Sequence, residues 1–277
     1  MKSASATSQE ETSKSSKYRN PALEKSIQST TFGSTFDYSD QLLTELDVPI
    51  LITKLLNEKK IVELHLPGNE INEKGIQLLA DALVNNKTLT ILDLRGNPVG
   101  AGIETLANSL QTNTTLTTLY LDDTGIDDDG ATNLAEMLRH NETLQRLSLG
   151  RNKITATGVQ NLADALHGSC NSTLEELDLA GNTVDDTCVN DLIHMLKYNK
   201  VLCKLNMSAS KLREEAKEKL REATQRNPCF DFTIDDEEIE EEELDNEDYR
   251  DGTGSVLSQT EKIYIPRGPL MLECLRK

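Results

Sequence analysis

The chain has 277 residues, but its apolar share is 36%, and adding its 15 glycines still leaves it short of the roughly 45–50% of a typical globular chain. Part of it is therefore expected not to pack. The formal net charge of −18 offers no surplus of cations to displace the counterions of a phosphate backbone, which excludes nucleic acid as a partner and leaves a protein, basic or tolerant of acid. Cys170, Cys188, Cys203, Cys229 and Cys274 are odd in number and show no Cys-x-x-Cys spacing, so they suggest neither a disulfide framework nor a zinc knuckle.

Residues 1–32 are rich in Ser and Thr, a composition that cannot offset the entropy of ordering by burial, and are expected to be disordered. They hold no apolar signal-peptide core, and no apolar run in the chain approaches the roughly 18 residues of a membrane span. A cytoplasmic protein without membrane association is expected.

From residue 61 the chain repeats. The pattern L-x-x-L-x-L-x-x-N-x-I is met by Ile61-Leu64-Leu66-Asn69-Ile71, Leu89-Leu92-Leu94-Asn97-Val99 and Leu116-Leu119-Leu121-Thr124-Ile126. It continues in Leu144-Leu147-Leu149-Asn152-Ile154, Leu174-Leu177-Leu179-Asn182-Val184 and Leu202-Leu205-Met207-Ser210-Leu212. Successive starts are 28, 27, 28, 30 and 28 residues apart, so the period is 28. Each unit opens with strand-like alternation and continues with apolar residues at helical spacing, as in Gly130-Leu134-Ala135-Leu138. Asn72, Asp127, Thr155 and Asp185 precede the helical stretches and are expected to cap them. Counting back 28 from the first unit puts Phe36 and Tyr38 at strand positions and Asp47-Val48-Pro49 at a helix start, so residues 33–60 read as a degenerate N-terminal cap. Six units plus a last short strand at Phe232 and Ile234 fill residues 61–234.

Beyond them the composition changes. Eleven of the fourteen residues from Asp235 to Asp248 are acidic, giving an acidic tail over 235–250, expected to be solvated. Residues 251–277 are expected to be disordered, with Ile263-Tyr264-Ile265 and Leu270-Met271-Leu272 leaving room for a short linear motif.

The 28-residue unit, with Asn on the strand-to-helix turn, Gly before Leu-Ala and Asn-x-Thr at its close, resembles the ribonuclease-inhibitor subtype of leucine-rich repeat. The resemblance covers about 200 residues of the chain. It implies an α/β solenoid, a horseshoe with parallel strands on the concave face and helices on the convex face, used mainly to bind proteins. Relatives include ribonuclease inhibitor, the sensor ends of NOD-like receptors, tropomodulin and the Ran GTPase-activating protein. The last also joins such an array to an acidic tail, so regulation of a small GTPase is the alternative function. Against it, Pro67-Gly68-Asn69-Glu70 and Arg95-Gly96-Asn97-Pro98 lack that family's Ser-Asp-Asn loop.

No catalytic group assembles from the pattern. His140, His167 and His194 fall near helix ends and only His65 lies on a strand, so a non-enzyme without cofactor is expected. The acidic run Asp122 to Gly130 lacks the register of a calcium loop, and no metal site is expected. The Asn-x-Ser/Thr triplets at Asn86, Asn113, Asn141 and Asn171 fall at helix-to-strand junctions, where Asn is expected to relieve a left-handed backbone. In each strand the leucines point inward, so the residues beside them should form one exposed, partner-binding face. That set is Glu63, His65, Ile91, Asp93, Arg95, Thr118, Tyr120, Asp122, Arg146, Ser148, Glu176, Asp178, Lys204 and Asn206. Tyr120, Ile91, Arg95 and Arg146 stand at its centre and include the residue types that most often dominate binding energy.

Overall fold

The computed structural model describes residues 18–168, 170–225 and 229–235. The acidic tail after Asp235, the 251–277 segment with its two apolar triplets, and residues 1–17 lie outside the described residues.

Eight three-residue strands form one parallel sheet in chain order: β1 Thr35–Asp37, β2 Glu63–His65, β3 Ile91–Asp93, β4 Thr118–Tyr120, β5 Arg146–Ser148, β6 Glu176–Asp178, β7 Lys204–Asn206 and β8 Asp231–Thr233. Between them run α2 Val48–Leu51, continued by a π-helix Ile52–Lys59, then α3 Glu73–Val84, α4 Gly102–Leu110, α5 Asp128–His140, α6 Ala156–Leu166, α7 Val189–Tyr198 and α8 Glu214–Thr224. The fold is an α/β leucine-rich repeat solenoid. Register follows the repeat: Phe36, Leu64, Leu92, Leu119, Leu147, Leu177, Leu205 and Phe232 pair in one row. The first seven are buried between sheet and helices, and Phe232 is half-buried. One layer of leucine thus stacks on the next, each burial being worth about 1.5–3 kcal/mol.

Asn72, Asp127, Thr155 and Asp185 cap as expected, each accepting from backbone N–H groups at the start of the next helical segment; Asp185 caps the 3₁₀ turn Asp186–Cys188 that leads into α7. Asp128 works between units, accepting from Thr155 N at 2.8 Å and Gly158 N at 3.1 Å. The acidic run therefore serves helix starts, where carboxylates meet the positive end of the dipole.

Two buried asparagine ladders tie successive units together. On the strand-to-helix turn, Asn152 donates to Leu121 O at 2.8 Å and Leu149 O at 3.0 Å, while its Oδ1 accepts from Thr124 N and Ile126 N. Asn69, Asn97 and Asn182 repeat this. At the helix-to-strand junction Asn113, Asn141, Asn171 and Asn199 donate to Leu83, Leu110, Leu138 and Leu166 carbonyls, helix-end acceptors of the unit before. Their Oδ1 atoms accept from the N–H groups two and three residues on. The expected left-handed backbone is not found there: Asn141 is extended, with φ −81° and ψ 129°. These asparagines serve to satisfy orphan helix-end carbonyls across units. Left-handed residues occur instead just before the strand-to-helix ladder, at Asp40, Gly68, Gly96, Asp123, Arg151, Gly181 and Ala209, and after two helices at Lys60 and Gly168. Gly68 is the tightest, since a Cβ there would lie 1.9 Å from Asp40 Oδ1.

The N-terminal segment differs from the expectation. Residues 21–29 form helix α1, Pro21–Ser29, started by Asn20, which accepts from Leu23 N, and by Pro21 at the first position. Leu23 and Ile27, one turn apart, are buried against the cap. Tyr18 Oη and Asn20 Nδ2 donate to Asp47 Oδ1 at 2.9 and 2.7 Å, and Thr44 N donates to Asp47 Oδ2 at 3.0 Å. The disorder expected over 1–32 is thus wrong for its described part, because two apolar side chains on one helix face outweigh a polar average composition. The N-terminal cap starts before residue 33.

Candidate functional site

Alternation places the residues beside the buried row on the opposite side of the sheet, and pairing aligns them into two further rows. One row reads Thr35, Glu63, Ile91, Thr118, Arg146, Glu176, Lys204 and Asp231, and the other Asp37, His65, Asp93, Tyr120, Ser148, Asp178, Asn206 and Thr233. Arg95 and Asp122 follow at the ends of β3 and β4, where Gly68 N donates to Arg95 O and Gly96 N to Asp122 O. The structure therefore brings all fourteen expected residues onto one face. It also adds Thr35, Asp37, Asp231 and Thr233 at the two ends, which the register of Phe36 and Phe232 could have supplied.

Two residues of the expected exposed set are buried. Asp93 is 1% and Thr118 2% accessible. Asp93 lies between His65 and Tyr120 in its row and is bridged by the Arg95 guanidinium, with Nη2 at 2.6 Å from Oδ2 and Nε at 3.0 Å from Oδ1. Thr118 sits between the larger Ile91 and Arg146. Alternation gives the side of the sheet, and the size of lateral neighbours decides the depth.

Every base on this face is paired. Arg95 meets Asp93 and holds its Cζ 5.2 Å from the Tyr120 ring centroid, a cation–π contact. Arg146 Nε lies 2.9 Å from Glu176 Oε1, and Lys204 Nζ 3.5 Å from Asp231 Oδ2. His65 stands between Glu63 and Asp93, at 3.4 and 3.6 Å. The hydrogen bond to Asp93 raises the Arg95 pKa, and that to Glu176 raises Arg146. Burial raises Tyr120, opposed by both arginines.

Asp122 and Asp178 are different: their hydrogen-bond donors among the described residues are neutral. Asp122 Oδ1 accepts from Ser148 Oγ at 2.6 Å and Gly150 N at 3.2 Å, and Asp178 accepts from Asn206 Nδ2 and Ala180 N. Asp122 Oδ2 is buried without a donor among the described residues. Burial raises the Asp122 pKa, the Ser148 hydrogen bond opposes the rise and the charge of Asp178 adds to it. A cavity of about 120 Å³ opens beside Asp178, lined also by Tyr120, Arg146, Ser148, Glu176, Lys204 and Asn206.

No group of three or more His, Cys, Asp or Glu among the described residues is placed to hold a metal ion. Burial pushes the Cys188 thiol up to about 12, which leaves it protonated at neutral pH. No described helix is long and apolar enough to cross a membrane.

A family model described as a leucine-rich repeat matches the chain four times, over residues 85–104, 112–135, 140–163 and 170–187. Among solved structures, actin-binding site 2 of leiomodin-1 is similar at 26% identity and a TM-score of 0.38, with 45% of this chain and 71% of that one covered. The C-terminal domain of tropomodulin from Caenorhabditis elegans is similar at 18% identity and a TM-score of 0.40, with 65% and 93% covered. No curated protein matches.

Proposed function

We propose that this chain, a leucine-rich repeat protein, is a cytoplasmic scaffold that binds a partner protein through its strand face, by association and not by catalysis. The observation that carries this reading is that, among the described residues, every strand-face base pairs with an acid while the hydrogen-bond donors to Asp122 and Asp178 are neutral and Asp122 Oδ2 has none. Acids outnumber bases at its middle, where Asp93, Asp122, Glu176 and Asp178 stand against Arg95 and Arg146, so a basic partner fits it: a lysine or arginine entering beside Tyr120 would meet Asp178. The pairs already present hold Arg95, Tyr120 and Arg146 in place, which lowers the entropy lost on binding. Regulation of a small GTPase gains no support from this geometry.

Affinity capture tests the reading. Tyr120→Ala should weaken binding of the main captured protein by about 1–2 kcal/mol or more, a factor of roughly 5 to 30. Arg146→Ala should add to the loss. Unchanged affinity in the double variant would move the site off this face.

A further inference from the structure

A second surface, on the helix side, carries its own chemistry. Between α7 and α8 the molecule opens a groove of about 810 Å³. Its origin is visible in the repeat. Leu83, Leu138, Leu166 and Leu196 each stand twelve residues after the apolar residue of the strand-to-helix turn (Ile71, Ile126, Ile154 and Val184), and in α8 that place, counted from Leu212, is held by Thr224. Leu83, Leu138 and Leu166 are buried. Leu196 lines the groove together with the shorter Thr224 and is only partly buried, as are Ile193 and Phe230, all three packed against the core.

The rim reverses the sign of the molecule. In a chain of net charge −18 it carries, among the described residues, Lys197, Lys200 and Lys219 against one acid, Glu222. None of these lysines makes an ion pair of 4 Å or less among the described residues: Lys197 Nζ lies 5.1 Å from the Tyr198 ring centroid, and Lys200 Nζ donates to Lys197 O at 3.1 Å. Lysines near a helix C-terminus are favoured by the dipole, which accounts for Lys197 and Lys200. Lys219 lies in the middle of α8, where that explanation fails.

We propose that the groove between α7 and α8 docks a short acidic segment of a partner protein, which inserts a large apolar side chain over Leu196 and Phe230 and turns its carboxylates to Lys197, Lys200 and Lys219. The floor is apolar and lacks the leucine that closes the equivalent place in other units, so a leucine or aromatic residue from outside replaces it. The rim selects acid, whereas the strand face selects base, so the two surfaces recruit different partners. This inference is independent of the strand-face reading.

The test selects a phage-displayed library of random dodecapeptides on the full chain, with individual peptides then measured by fluorescence anisotropy. Enriched peptides should combine Asp or Glu with Leu, Phe or Trp. Their affinity should fall at least tenfold in Thr224→Leu, which fills the groove and should keep or raise the melting temperature, and likewise in the double variant Lys200→Glu with Lys219→Glu. Tyr120→Ala should leave it unchanged. No enrichment, enrichment of basic peptides, or equal binding to wild type and Thr224→Leu would overturn the proposal. So would dimerisation of the wild type that Thr224→Leu abolishes, which assigns the groove to a second copy. Carbodiimide cross-links from these lysines to carboxylates of residues 236–248 in the same chain would likewise overturn it.

Discussion

The two ends of the array are closed by opposite means. At the N-terminal end a helix is added: α1 buries Leu23 and Ile27, and the buried Asp47 collects donors from Tyr18, Asn20 and Thr44. At the C-terminal end α8 buries only Ala216 and Leu220, and its surface is held by exposed or half-exposed ion pairs such as Lys217–Glu214 and Arg221–Glu218. Such pairs are worth about 0–1 kcal/mol each. The contrast teaches that a repeat array can be sealed by apolar cover or merely kept wettable by charge. The second solution leaves apolar surface partly uncovered and available.

The strongest way to break this comparison is to truncate one apolar residue at each end. Leu23→Ala should cost about 2–5 kcal/mol through lost burial and cavity. Phe232→Ala, at a half-buried position, should cost about 1–2 kcal/mol. Chemical denaturation of both variants checks the ranking, and equal losses would mean that the ends are equally sealed. A smaller effect is expected from Asp47→Ala, at about 1–3 kcal/mol, since it strips three donors of their acceptor while leaving the apolar contacts of α1 in place. Hydrogen exchange should then rise first in residues 18–30.

The smallest effect is a difference in pH response between the C-terminal unit and the middle. Asp186 accepts from the backbone N–H of Arg213 and pairs with its guanidinium, which lowers its pKa. Its contribution to stability is present above the unfolded value near 3.9 and is lost as pH falls through the folded value. Asp122, raised by burial, behaves in the opposite sense: the folded state holds the proton more tightly, so its contribution improves as pH falls from neutral through its folded value. Carboxyl-carbon NMR titration should place Asp186 below and Asp122 above the ordinary carboxylate range, and the reverse order would contradict the geometry.

Much of the fold was legible because the leucines state period and side at once. The caps at Asn72, Asp127, Thr155 and Asp185 followed from short side-chain oxygens placed before helical spacing. Helix α1 was not read, although Asn20-Pro21 is a start signal and Leu23 and Ile27 are one turn apart, because the surrounding Ser and Thr dominated the composition. The depth of Asp93 and Thr118 was hidden for another reason: their lateral neighbours lie 27 or 28 residues away in sequence, and only pairing shows their size. The groove was hidden likewise. Thr224 is plain in the sequence, but its consequence falls on Leu196 in the unit before.

The asparagine ladders give the array the logic of a crystal lattice with one translation. Each asparagine rung ties a unit to its predecessor by the same donors and acceptors, whatever the strand-face residues are; Thr124, in the asparagine place of one unit, donates instead to Leu121 O of its own. The step from Leu144 to Leu174 is two residues longer than the usual 28, yet Leu147 still pairs with Leu177, so the surplus is absorbed in the turn after α6. A gene segment encoding one whole period, duplicated in frame, would therefore meet compatible rungs on both sides. The array would lengthen by one strand, and the binding face would gain a fresh row of positions free to diverge.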